Sequence, residues 1–150
     1  MNPSLLIDNS AWSRLGDQEL TPSRRADLER LIVDGAIAVC LPFLLEAGYS
    51  ARSASDHSGL MEELLALPLL QIDEEVESRA LDVQRQLAVS GHHRLPPVDL
   101  ILAAIADKNG LGVLHYDSDY DVLSSKTDLR FGSVWLAPRG TLWASLRRRS

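Results

Sequence analysis

The chain has 150 residues, of which 45% are hydrophobic, 24% charged and 5% aromatic, values of one globular domain with a real core rather than a disordered chain. So few aromatics argue against an interleaved base-stacking platform. The 21 acids against 15 Lys and Arg give a net charge of -6, which speaks against broad non-specific DNA binding but leaves room for a local basic rim beside an acidic site.

The N-terminus, Met1-Asn2-Pro3-Ser4, lacks the basic region and long apolar stretch of a signal peptide, and no apolar run approaches a membrane-crossing length. A cytoplasmic, reducing setting with no membrane association is therefore expected. Residues 4–7 read as a short buried strand, and a first helix begins after Asn9-Ser10, either of which can cap it. Thr21-Pro22 starts a second helix that places Leu28, Leu31 and Ile32 on one face and ends near Gly35. Residues 36–41 form a second strand. Cys40 lies within it and rules out an internal disulfide, being the only cysteine; it reads as a small buried hydrophobe.

Pro42 begins a helix carrying Glu46. Pro68 separates a helix over 60–67 from a strand over 69–72. The clearest helix covers 74–90, where Val76, Ala80, Val83 and Leu87 repeat at helical spacing behind three glutamates that suit the helix dipole. A loop over 91–97 follows, then a helix over 98–109 ending at Gly110, a strand over 113–116 and a last short strand over 133–136. Strands alternating with helices predict an α/β fold with a short, mostly parallel sheet flanked by helices. The chain shows no repeat or linker and reads as a single domain over 1–150, with Arg147-Arg148-Arg149 in a frayed, solvated tail from about 140.

Four carboxylates sit where apolar runs begin or end. Asp8 follows Leu5-Leu6-Ile7, Glu46 lies past residues 37–41, Asp99 opens Leu100-Ile101-Leu102, and Asp117 closes Val113-Leu114-His115-Tyr116, with Asp119 and Asp121 behind it. Singly, each fits a helix cap, a first-turn acid or a turn residue. Together they fall at one predicted rim of one sheet, where open α/β folds bind ligands. Acids gathered there repel unless protons or a hard cation offset their charge, so the simplest function for the cluster is to hold a divalent metal.

These segments resemble the PIN-domain family, and within it the VapC-like toxins of bacterial toxin–antitoxin pairs. The resemblance rests on Leu6-Ile7-Asp8-Asn9-Ser10, Pro42-Phe43-Leu44-Leu45-Glu46, Pro97-Val98-Asp99-Leu100-Ile101-Leu102-Ala103-Ala104 and His115-Tyr116-Asp117-Ser118-Asp119-Tyr120, in order and across nearly the whole chain. It implies a three-layer α/β/α fold with Asp8, Glu46, Asp99 and Asp117 as a metal-binding quartet. Asp119 replaces or assists Asp117, and Ser10 supports the first aspartate or a bound water. Tyr120 stands where many members carry Phe, a departure expected to matter little because the ring still packs.

The resemblance implies a metal-dependent endoribonuclease toxin that hydrolyses RNA phosphodiester bonds and is neutralised by a VapB-like antitoxin. Carboxylates and waters suit Mg²⁺, with Mn²⁺ as a substitute. One cation at Asp8, Asp99 and Glu46 would activate water, and a second near Asp117 would stabilise the leaving oxygen; one or two metals both stay open. Arg94, in the loop before the Asp99 helix, reads equally as a phosphate contact, as in that family, or as a solvated arginine. His115 reads as a satisfied core residue and Asp121 as solvent-facing. The resemblance further implies a homodimer, with Phe43, Leu44, Leu60, Met61 and Leu64 as groove or dimer-surface candidates or simply core; separately, no direct DNA binding by this chain is expected. Trp12 is the tryptophan best placed near a groove; Trp135 and Trp143 read as packing.

Three rivals compare poorly. A Rossmann-type binder needs a glycine-rich turn after the first strand, and Asp8-Asn9-Ser10-Ala11-Trp12 has none. A haloacid-dehalogenase-like phosphatase needs an aspartate at position 10. A structure-specific DNA nuclease on the same fold needs accessory loops for which 150 residues leave no room. The remaining alternative is a catalytically silent PIN-like module that binds RNA or protein.

Overall fold

The computed structural model describes residues 2–142. Within them the chain alternates strands and helices: β1 (Leu5–Ile7), α1 (Asn9–Trp12), α2 (Pro22–Val33), β2 (Ile37–Cys40), α3 (Leu41–Tyr49), α4 (Ala54–Leu64), β3 (Leu69–Leu70), α5 (Glu74–Val89), α6 (Pro97–Asn109), β4 (Gly112–His115), α7 (Asp119–Lys126) and β5 (Gly132–Trp135). The strands form one sheet in the order β3-β2-β1-β4-β5, and every pairing is parallel. Every residue of β2 is buried, as are both inward and outward positions at the end of β1. A strand buried on both faces has helices over each, which is the expected α/β arrangement. Full burial of side chains such as Leu6, Ile7 and Ile37 contributes about 1.5–3 kcal/mol each.

The strand order decides where a site can form. From β1 the chain steps outward to β2 and β3, then returns to place β4 on the other side of β1. Connections from β1 and β4 thus leave in opposite directions and open a crevice beyond their carboxyl ends. Asp8 follows β1 there, and its backbone N–H donates to Leu114 of β4 at 2.9 Å.

Local sequence explains most of the ends. Thr21 caps α2 by accepting from the Arg24 N–H at 3.1 Å, and Asp73 caps α5 by accepting from that of Val76 at 2.9 Å. Gly110 ends α6 at φ 68°, a left-handed conformation that glycine adopts without a Cβ clash. Most boundaries lie within a residue of expectation, and four features differ more. The cap of α1 is Asp8 rather than Asn9 or Ser10, because its carboxylate accepts from the Ser10 N–H at 3.0 Å. The helix expected over 60–67 spans Ala54–Leu64, since Ser53 caps it by accepting from the Asp56 N–H at 3.0 Å and its first turns are exposed and polar. β3 holds two residues rather than four. Helix α7, directly after the acidic turn, was not expected at all.

Candidate metal centre

Three elements converge on the crevice. Asp8 ends β1 and caps α1, Asp99 stands in the first turn of α6, and Asp117 and Asp119 flank the turn from β4 into α7. One carboxylate oxygen from each of Asp99, Asp117 and Asp119 lies within 4.8 Å of the other two. The backbone shapes this turn: the Asp119 N–H donates to Oδ1 of Asp117 at 2.9 Å. Asp8 joins the group through Tyr120, whose hydroxyl donates to Asp8 Oδ1 at 2.8 Å and lies 3.3 Å from Asp99 Oδ1.

Ser10 fixes the other side of Asp8. Its N–H and its hydroxyl both donate to Asp8 Oδ2, and the same hydroxyl accepts from the Tyr116 N–H at 2.9 Å. One serine thereby ties the end of β1 to the end of β4. Glu46 lies outside the trio, exposed on α3, where it lines a groove of about 510 Å³ with Asn9, Leu41, Pro42, Leu45, Tyr49 and Val98. Asn9 and Val98 are the chain neighbours of Asp8 and Asp99, so this groove adjoins the acids. Arg94 is exposed in the loop between α5 and α6, five positions before Asp99.

The electrostatics identify the cluster as unusual. Asp99 is only 7% exposed, and its carboxyl is pushed up to about 8, first by burial and then by the charges of Asp8, Asp117 and Asp119. Asp119 is raised too, again first by burial and then by Asp117. Asp99 Oδ2 is buried without a hydrogen-bond partner. A buried carboxylate oxygen with no donor is costly, and a cation is the partner that would satisfy it. The donor set is all oxygen, which fits a hard cation such as Mg²⁺ or Mn²⁺.

Behind the acids lies a chain of contacts that the sequence did not reveal. His115 is fully buried and stacks on Tyr120 with ring centroids 4.8 Å apart. Its Nδ1 accepts from the Asp117 N–H at 3.1 Å, so Nε2 carries the proton and faces Ser133 Oγ at 2.8 Å. Ser133 donates to Asp121 at 2.7 Å, and the Trp135 indole N–H donates to the same carboxylate at 3.1 Å. His115 is the satisfied core residue expected, and Asp121 is exposed as expected, yet both support the turn that carries Asp117. The one available signal was a histidine at an inward-facing strand position two residues before an aspartate.

The remaining assignments resolve simply. Cys40 is buried and its thiol is pushed up to about 12, chiefly by burial, so it is a core residue and not a nucleophile. Phe43, Leu44 and Leu64 are core, and Leu60 and Met61 are half-buried against it. Trp12 is half-buried and edge-on to Phe43. Trp143 and Arg147–Arg149 lie outside the described residues. Among the described residues, no helix is long and apolar enough to cross a membrane.

A parallel α/β sheet with a carboxylate cluster at its switch point defines the class of this protein. The PIN domain model matches residues 5–126, and the chain belongs to the PIN-domain family. Among relatives, it is 40% identical over 139 residues to Ribonuclease VapC18 of Mycobacterium tuberculosis, covering 91% of this chain and 97% of that protein. It is 36% identical over 137 residues to Ribonuclease VapC51 of the same organism, covering 91% and 96%.

Solved structures share the fold at low identity. DNA-bound VapBC from Salmonella typhimurium matches with a TM-score of 0.69 and 14% identity, over 90% of this chain and 99% of that one. VapBC2 from Rickettsia felis, bound to a promoter DNA fragment, matches with a TM-score of 0.67 and 16% identity, over 90% and 99%. M. tuberculosis VapC20, a toxin that cleaves the sarcin–ricin loop, matches with a TM-score of 0.57 and 17% identity, over 85% and 99%. The expectation that this chain does not itself bind DNA is not borne out by these comparisons.

Proposed function

We propose that this chain is the ribonuclease toxin of a toxin–antitoxin pair, a single-domain, metal-dependent endoribonuclease of the cytoplasm that hydrolyses RNA phosphodiester bonds. The observation that carries the reading is the orphaned Oδ2 of buried Asp99 beside Asp117 and Asp119, in a chain whose relatives are ribonucleases. Asp99, Asp117 and Asp119 would hold Mg²⁺ or Mn²⁺, with Asp8 alongside and Glu46 reaching in from α3. The chemistry a cation held there would supply is activation of a water and an offset to charge on phosphate oxygens.

The chain's own residues do the rest. Ser10 and Tyr120 fix the plane of the Asp8 carboxylate from both sides. His115 holds the Asp117 turn in place. Arg94, exposed before α6, is proposed to grip a substrate phosphate through its guanidinium fork.

The partner is proposed to be a VapB-like antitoxin. The supporting feature is an apolar stripe on α3, Leu41, Leu45 and Tyr49, spaced four apart and exposed by 55%, 64% and 92%, running along the groove that reaches Glu46. An antitoxin segment seated there places a basic side chain within reach of the acids. A homodimer of the toxin is proposed alongside it.

The test is cleavage of total cellular RNA by purified, antitoxin-free protein with Mg²⁺ or Mn²⁺, with EDTA, and beside Asp8→Asn. Discrete fragments that require both the cation and Asp8 are expected. Folded protein that cuts no RNA under any cation would instead favour a silent binding module.

A further inference from the structure

Helix α1 is a single turn, and a side chain closes its end. In a longer helix the Ser10 carbonyl would accept from the Arg14 N–H, four residues on. Here that N–H donates to the Ala11 carbonyl at 3.0 Å, so the turn tightens and Ser10 loses its helical donor. The Arg14 side chain takes the vacated role: its Nη1 donates to the Ser10 carbonyl at 2.6 Å. The residue is only 2% exposed, and its guanidinium lies over the Tyr116 ring, 4.9 Å from the centroid. Tyr116 is itself held at both ends. Its N–H donates to Ser10 Oγ at 2.9 Å, and its hydroxyl accepts from the Leu142 N–H at 2.7 Å.

These contacts meet at Ser10, whose N–H and hydroxyl both donate to Asp8 Oδ2. A carboxylate oxygen has two lone-pair directions, so Ser10 occupies Oδ2 and leaves Oδ1 as the oxygen Asp8 can turn to a ligand. A planar guanidinium can cover a ring with its face while donating from its edge, whereas an ammonium is a single point charge. Arginine is therefore the side chain that serves the carbonyl and the ring together.

We propose that Arg14 is a positioning residue for the acid cluster, which clamps Ser10 to the Tyr116 ring and so fixes the hydroxyl that orients the Asp8 carboxylate. This rests on the reading of the cluster as a metal centre. Arg14 acts through Ser10 and not on the cation, so its effect on cation binding depends on the Ser10 hydroxyl being there to position.

The experiment is calorimetric titration of Mn²⁺ into the wild type, Arg14→Lys, Ser10→Ala and the double variant, with melting temperatures beside them. Each single substitution should weaken Mn²⁺ binding about tenfold. The double variant should bind within about twofold of Ser10→Ala, because the two act as one unit. A merely structural arginine would lower the melting temperature and change affinity equally with and without the Ser10 hydroxyl. Wild-type affinity in Arg14→Lys, or losses that multiply in the double variant, overturns the role of Arg14 and spares the metal centre. No Mn²⁺ binding by the folded wild type overturns both. Should Arg14→Lys not fold, Tyr116→Leu removes the ring beneath the guanidinium and is read in the same two backgrounds. It should weaken Mn²⁺ binding only where the Ser10 hydroxyl is present, and an equal loss in both backgrounds, or none, overturns the proposal.

Discussion

The backbone N–H of Asp117 donates to Nδ1 of His115 at 3.1 Å, so the turn bearing two of the clustered acids hangs on a buried imidazole. Burial lowers the His115 pKa and keeps the ring neutral, which is the state that can accept. Ser133 and Asp121 hold the matching tautomer from the other side. His115→Phe should keep the stacking on Tyr120 but strand the Asp117 N–H, costing about 1–3 kcal/mol and weakening cation binding. Ser133→Ala should cost less, about 1 kcal/mol. Thermal melts and cation titrations of both variants check this; equal effects, or none on cation binding, would contradict it.

Asp99 makes the metal-free protein sensitive to alkali. Its carboxyl is raised from 3.8 to about 8, so between those values the folded state holds a proton that the unfolded state has released. The stabilisation linked to that proton is fully present below about pH 4 and lost as pH rises through about 8. Asp99→Asn cannot ionise. In EDTA at pH 8.5 it should therefore be more stable than wild type by about 1–3 kcal/mol, and the gain should shrink steadily on acidification and vanish towards about pH 4. Melting curves across pH read this directly, and a wild-type minus variant difference that does not change with pH would refute it.

Gly112 opens β4 where there is no room for a side chain. A Cβ there would lie 3.0 Å from Leu5 Cδ2 and 3.2 Å from both the Gly132 carbonyl oxygen and Val134 Cγ2. The first can shift, but the carbonyl belongs to the neighbouring strand in register. Gly112→Ala should cost about 1–2 kcal/mol, measured by denaturant unfolding.

Arg79 fastens the far end of the molecule. From α5 it donates to Asp107 at 3.0 Å, near the end of α6, and pairs with Asp128 at 2.8 Å in the α7–β5 connection. Asp107 lies eight residues, about 12 Å, along α6 from Asp99. Arg79→Ala should lower stability by about 1 kcal/mol, discounted because the pair is partly exposed, and leave cation affinity within about twofold. A large loss of cation binding would show that this clamp reaches the acids.

Much of this was legible in the sequence because its signals are local. Proline and glycine punctuation located α2, α3 and α6, and acids after apolar runs located the rim. What was missed depends on neighbours far along the chain. Helix α7 has its buried residues, Tyr120 and Leu123, within a polar stretch, so no periodic stripe announced it. Tyr120 read as a substitute for phenylalanine, and its hydroxyl acquires meaning only when α7 carries it to Asp8, 112 residues away. Glu46 matched the family motif by position, yet it stands on the exposed side of α3, outside the inner trio.

The most direct measurement is titration of Mn²⁺ into metal-free wild type and Asp99→Asn at pH 8. The wild type should bind, release protons as it does so, and lose at least about 100-fold in affinity on the substitution. Equal binding by the two proteins, or none by the folded wild type, would contradict a cation centre built on Asp99.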